Sequence, residues 1–284
     1  MTPALPEAAR RWRAAARPAV VVEVLRCRGS VPREAGTRML VAADEVLGSI
    51  GGGHLELRAI SDARALLARG GEPFERHVAL GPSLGQCCGG TLDLRFTRLA
   101  DDDPADWPLR APRFTLQLYG AGHVGRAVVK LLSGIDCRVL WIDEREAEFP
   151  ADPMPPHVER ICVEPVHAEV ALAPPGAYFL VLTHSHDLDL ALTQAILNRG
   201  DFGWFGLIGS KTKRARFEHR LRERGFDAAL IERMVCPIGL PGITGKEPDV
   251  IAVAVVAQLL QHSATRLSAA TSKLAGRVAA DGAV

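Results

Sequence analysis

The stretch FTLQLYGAGHVGRAVVKLLSG, residues 114–134, decides the fold. Residues 114–119 are an apolar, β-prone run, and residues 126–134 carry a helical pattern. Between them Gly120-Ala121-Gly122-His123-Val124-Gly125 has the spacing GxGxxG. Any glycine-rich turn can match that spacing, but a strand before it and a helix after it are the context that a dinucleotide turn requires. Gly120 allows the tight turn, Gly122 lets a pyrophosphate approach the backbone, and Gly125 lets helix and strand pack closely. The helix N-terminus then offers free N–H groups and a favourable dipole to an anion. Asp143 closes the next strand (RVLWID, 138–143), about twenty residues on, where an acid bonds a ribose hydroxyl. Arg145 follows it and is the alternative contact, for a phosphate. The residues leave open whether the turn holds a nucleotide or dinucleotide, or is a Rossmann turn without one.

Outward from this turn the βα alternation continues. Strands are expected at 160–163, 178–183, 204–208 and 234–238, with helical patterns between several of them. Near-continuous apolar strands alternating with helices predict a parallel sheet covered on both faces, here a Rossmann-like domain over 114–262. Upstream, 101–113 (DDDPADWPLRAPR) is acidic, holds three prolines and reads as a linker. Residues 1–100 then form an N-terminal α/β domain. Its strands are expected at 18–27, 37–43 and 91–98, and its helix follows Gly51-Gly52-Gly53 and ends at Gly70. Residues 263–284 are Ala-rich, without a clear apolar period, and read as a partly helical, frayed tail.

Composition agrees with an ordinary globular protein. The 284 residues are 48% hydrophobic and 24% charged, with a formal charge of +1. Such a charge points to neither nucleic acid nor an anionic membrane. The first 17 residues lack the apolar core of a signal peptide, and the longest apolar run, 251–257, is too short for a bilayer, so a cytoplasmic location is expected. The six cysteines form no CxxC pair, which argues for free thiols and against structural zinc.

Two glycine-rich loops mark the first domain. Gly51, Gly52 and Gly53 precede a helix, so their amides are candidates for an anion. The second loop, Gly81 to Gly90, sets Gln86, Cys87 and Cys88 among glycines, where a large ligand can approach the backbone. Adjacent cysteines are either small apolar filler in a turn or thiols that act as nucleophiles and soft-metal ligands. Both readings stand on the residues alone.

The stretches GSVPREAGTRMLV (29–41), GSIGGGHLE (48–56), LGPSLGQCCGG (80–90), LYGAGHVGRAVV (118–129), LTHSHDLDL (182–190), GLIGSKTKRARF (206–217) and PIGLPGITGKEPDVIAVAVVAQLL (237–260) together resemble the xanthine dehydrogenase accessory (XdhC/CoxI) family. The resemblance covers residues 20–262. It implies a two-domain, dimerising protein that binds molybdenum cofactor (molybdopterin) as cargo. It further implies that the protein protects the cofactor while a partner cysteine desulfurase sulfurates it, and delivers it to apo xanthine dehydrogenase. The match to the family's GQCCGG motif makes Cys87 and Cys88 candidate cofactor residues.

Two further motifs follow expected strands. His184-Ser185-His186-Asp187 resembles a metal-binding HxH, but Leu188 stands where a hydrolase pattern wants an acid. The loop is expected at the carboxyl end of a central strand, with Asp187 capping the next helix. Ser210 suits an N-cap, and Ser210, Lys211 and the helix amides are candidates for a phosphate contact. No metal site or catalytic residue is assigned. The alternative to a carrier is an NAD(P)-dependent oxidoreductase on the same Rossmann domain. It needs a proton donor facing the nicotinamide, and no spacing singles out His184, His186 or Lys211.

Overall fold

The structure is a computed structural model that describes residues 5–80, 89–108 and 111–281, with side chains to Arg266. The chain divides into two compact units, Met1–Leu109 and Arg110–Val284.

The first unit is a five-stranded antiparallel sheet in the order β3-β2-β1-β5-β4. Its strands are β1 (Ala19–Arg28), β2 (Arg38–Ala42), β3 (Val46–Gly48), β4 (Phe74–Ala79) and β5 (Thr91–Arg98). The two-residue period of a strand sorts its side chains between two cores. Val20, Val22 and Val24 join Phe96 and Leu94 beneath helix α2 (Gly53–Arg69), which buries Leu55, Ala59, Ala63 and Leu66. Val21 and Leu40 face the other way, under helix α1 (Leu5–Ala14). Helix α1 was not legible in its Ala/Arg-rich sequence. Trp12 and two alanines anchor it.

The acidic stretch expected as a linker behaves differently. A 3-10 turn covers Leu99–Asp101, and Trp107 is buried with Trp12 and Leu99 in the first unit. Arg38 lies over the Trp107 ring at 5.1 Å, and the indole N–H donates to Asp102 at 3.0 Å. Prolines and acids excluded regular structure there, but one aromatic was enough to dock the segment.

The second unit is a six-stranded parallel sheet in the order β11-β10-β9-β6-β7-β8. Its strands are β6 (Thr115–Tyr119), β7 (Arg138–Asp143), β8 (Val158–Cys162), β9 (Tyr178–Val181), β10 (Trp204–Leu207) and β11 (Met234–Val235). The chain steps outward from β6 through β7 to β8, then returns to the other side of β6. That is the doubly wound order of Rossmann folds, and its switch point lies between β6 and β9. Helices α3 (His123–Leu132) and α7 (Pro248–Asp281) pack on one face; α4 (His186–Arg199), α5 (Lys211–Glu223) and α6 (Ala228–Glu232) pack on the other. Helix α7 runs unbroken through 263–281, where a frayed tail was expected, and Ser263 within it is buried.

The glycine turn sets how closely α3 sits on the sheet. A Cβ at Gly125 would lie 2.1 Å from the Gly120 carbonyl oxygen, and one at Gly120 would lie 2.4 Å from that of Leu182. Gly122 has nothing within 4 Å of a Cβ and an ordinary φ of −68°. Gly125→Ala is therefore expected to cost about 1–3 kcal/mol through overpacking. Gly122→Ala should cost less than about 1 kcal/mol, because the N-cap preference for Gly over Ala is partly offset by the lower chain entropy of Ala in the unfolded state. Urea unfolding of both variants checks the contrast; equal midpoints would contradict it.

Candidate functional site

A parallel sheet puts every strand's carboxyl end, and the N-terminus of each following helix, along one edge. Three such ends meet at the switch point of the second unit: Gly120 after β6, Thr183 after β9 and Ile208 after β10. Helix α4 is capped by the Ser185 hydroxyl, which accepts from the Leu188 N–H at 3.4 Å. The cap is Ser185, not Asp187, which lies in the first turn. Helix α5 is capped by Ser210, which accepts from the Lys213 N–H at 3.2 Å. Helix α3 starts at Gly122 with no side-chain cap, so its first turn presents bare backbone to the crevice.

Between the ends of β9 and β10 lies a cavity of about 300 Å³, lined by Thr183, His184, Ser185, His186, Ser210 and Lys213 among others. Its floor is a buried ion pair. Asp189 accepts from Lys213 Nζ and from the Thr183 N–H and Oγ1 at 3.2 and 2.7 Å. Lys213 Nζ also donates to the Ile208 carbonyl at 2.9 Å. The side chains are 2% and 10% exposed, and they tie α4, α5 and two strand ends together. At the rim, His184 Nε2 stands 3.7 Å from Glu144 Oε1.

Sequence reading pointed to Lys211, which is exposed; Lys213 faces the cavity instead. The signal was present. Lys213 lies on the same i, i+4, i+8 stripe as buried Phe217 and Leu221, and Asp189 shares a stripe with buried Thr193 and Ile196. Charged residues on apolar stripes are buried pairs or site residues.

Asp143 is where the fingerprint needs an acid, at the end of β7, but its oxygens are engaged. Oδ2 accepts from the Ala121 N–H at 2.6 Å and from the Arg145 guanidinium at 2.9 Å. Oδ1 accepts from the Arg145 N–H at 3.0 Å and from its Nε at 2.9 Å. Burial alone would raise the carboxyl's pKa; the Arg145 guanidinium and the two backbone amides outweigh it and hold the value below the usual range.

The Gly51-Gly52-Gly53 loop is built differently from the anion cradle expected of it. All three residues have positive φ, 130°, 76° and 62°, which favours glycine. The Glu56 carboxylate sits over the loop and accepts from Ser49 Oγ at 2.5 Å, and from the Ile50 and Gly52 N–H groups at 3.1 Å each. The chain supplies its own anion to this helix start. Gln86, Cys87 and Cys88 lie outside the described residues. Elsewhere the buried thiols are held protonated: burial pushes Cys137 up to about 12, and burial also raises Cys236.

Among the described residues no three His, Cys, Asp or Glu side chains gather as a metal-ligand set, and no helix is long and apolar enough to cross a membrane.

These features define a two-unit protein with a Rossmann domain whose polar cavity lies between the ends of β9 and β10, one strand from the switch point. The chain belongs to the XdhC family: residues 116–259 match the XdhC Rossmann domain, and residues 12–77 match the XdhC and CoxI family. The protein YqeB of Escherichia coli (strain K12) is 31% identical over 255 residues, which is 86% of this chain and 43% of YqeB. The chain thus spans less than half of that relative's length. A crystal structure from Bacillus halodurans, described as a xanthine dehydrogenase, has the same fold, with a TM-score of 0.72 over 92% of this chain and 96% of that one, at 19% identity.

Asp143 carries a pH signature. Its folded pKa is depressed, so the stability it contributes is present above the unfolded value of about 4 and is lost as pH falls through the lower folded value. Asp143→Asn is expected to lose about 1.5–3 kcal/mol at pH 7, the range for hydrogen bonds to a charged group. The gap between variant and parent should shrink below about pH 4. Urea midpoints at pH 7 and pH 3 test this, and a gap that is the same at both would contradict it.

Proposed function

We propose that this protein acts in maturing a xanthine dehydrogenase, holding molybdenum cofactor as cargo before it is delivered to the apo-enzyme. Family membership supports the role in xanthine dehydrogenase maturation. The observation that carries cofactor binding is the open face of Gly122 at the uncapped start of α3, beside the polar cavity between β9 and β10. A phosphate-bearing pterin needs backbone donors for its phosphate and a recess with a few directed polar groups. Gly122 and the first turn of α3 supply the former. Thr183, His184, His186 and Lys213 line the latter.

Gly120, Gly125 and Asp143 shape this cradle rather than touch the cargo. Ser210 positions α5, and Lys213 takes the place expected of Lys211. Cys87 and Cys88 remain the proposed thiols that meet the cofactor or guard its terminal sulfur. Gln86 beside them offers an amide that donates and accepts. A cysteine desulfurase, a second copy of this chain and a cytoplasmic location complete the proposal. In this reading the Gly51–Gly53 loop has a structural task, because Glu56 already fills it.

Purified anaerobically, the protein is expected to bind molybdopterin, or its molybdenum form, in stoichiometric amount. Gly122→Val, which puts a branched side chain into the open face, should weaken that binding by more than about tenfold, or about 1.4 kcal/mol, with the fold intact. Equilibrium dialysis with pterin fluorescence, alongside circular dichroism, reads both. Unchanged affinity would remove the crevice from the proposal. NAD-dependent hydride transfer by a protein that binds no pterin would replace the carrier with an oxidoreductase.

A further inference from the structure

In a doubly wound dinucleotide fold, the acid closing the second strand takes up the ribose hydroxyls of the ligand. Whether this crevice can hold a ribose therefore depends on the acceptor capacity left on Asp143. An ionised carboxylate has about four lone-pair sites. Four donors already occupy them at 2.6–3.0 Å: the Ala121 N–H, and the N–H, Nε and terminal nitrogen of Arg145. The Asp143 side chain is 4% exposed. The guanidinium meets both carboxylate oxygens, the bidentate geometry in which such pairs are strongest. Glu148, 3.5 Å from the Arg145 Nη1, braces it from the other side.

We propose that Arg145 is a specificity residue that closes the ribose subsite of the fold, so that the crevice excludes adenine dinucleotides while its phosphate cradle stays open. This deepens the reading of the crevice as a cofactor-phosphate site and rests on it. A role for Arg145 as receptor of a 2′-phosphate fits the geometry less well. Its guanidinium is turned onto Asp143, and Glu144, Glu146 and Glu148 crowd the same short segment. Arg126, the nearby cation, is itself committed to Glu148 at 2.6 Å. A dianionic group would enter beside an excess of carboxylates.

The test uses the full-length protein and three probes, NAD+, NADP+ and ADP-ribose, measured by isothermal titration calorimetry. The parent should bind all three more weakly than about 1 mM. Arg145→Ala removes the two side-chain donors, leaves the backbone N–H groups of residues 121 and 145 in place, and so frees two of the four acceptor sites. It should bind NAD+ and ADP-ribose at least tenfold more tightly. Arg145→Ala combined with Asp143→Asn should lose that gain. Arg145→Lys, which keeps the charge but not the two-pronged grip, should show a smaller gain in the same direction, and it decides the matter if the alanine variant does not fold. The proposal is overturned if the parent binds NAD+ tightly through Asp143, if NADP+ binds and needs Arg145, or if folded Arg145 variants gain nothing. Molybdopterin binding by the parent is measured in the same preparations. Its absence would defeat the proposed function and leave the dinucleotide comparison readable.

Discussion

The second unit depends on the contact between Gly125 and the carbonyl of Gly120. With no Cβ between them, α3 begins almost on the sheet, and the Gly120 carbonyl still accepts the Trp141 indole N–H at 3.1 Å. That approach leaves Gly122 facing outward with its side-chain position empty. Asp143 then holds the turn through the Ala121 N–H. Steric closeness at two glycines thus creates a bare helix start where the strand order reverses.

Two carboxylates show how the same helix-terminus chemistry serves different ends. At the first loop the Ile50 and Gly52 amides already satisfy Glu56, which offers an anion from within the chain. At Gly120–Gly125 the internal carboxylate takes the Ala121 amide and grips Arg145, while the α3 start remains without a side-chain cap. Local sequence makes the two loops look alike. What separates them is where a side chain four residues on, or a strand away, delivers its charge.

Much of the second unit was legible because its strands are buried on both faces and so read as apolar runs between helices. The parallel sheet was expected from the alternation, whereas the strand order was not read from the sequence. In the first unit β3 is three residues long and β4 (FERHVA) has three polar residues in a row between Phe74 and Val78, so neither stood out. Trp107 hid in an acidic, proline-rich stretch and proved to be core. The site was legible only in outline. Gly120, Gly122, Gly125 and Asp143 lie where their spacing placed them, but the saturation of Asp143 and the Asp189–Lys213 floor come from elements far apart in sequence. The Gln86-Cys87-Cys88 motif lies outside the described residues.

The most direct test of the crevice as the cofactor-phosphate site is a 15N–1H chemical-shift titration of the protein with molybdopterin under anaerobic conditions. The account predicts that the amides of Gly122, His123 and Val124 move together with those of Thr183 and Ser210, while Ile50 and Gly52, held under Glu56, stay near their starting positions. Saturable binding that shifts Ile50 and Gly52 and leaves Gly122 to Val124 unmoved would contradict it.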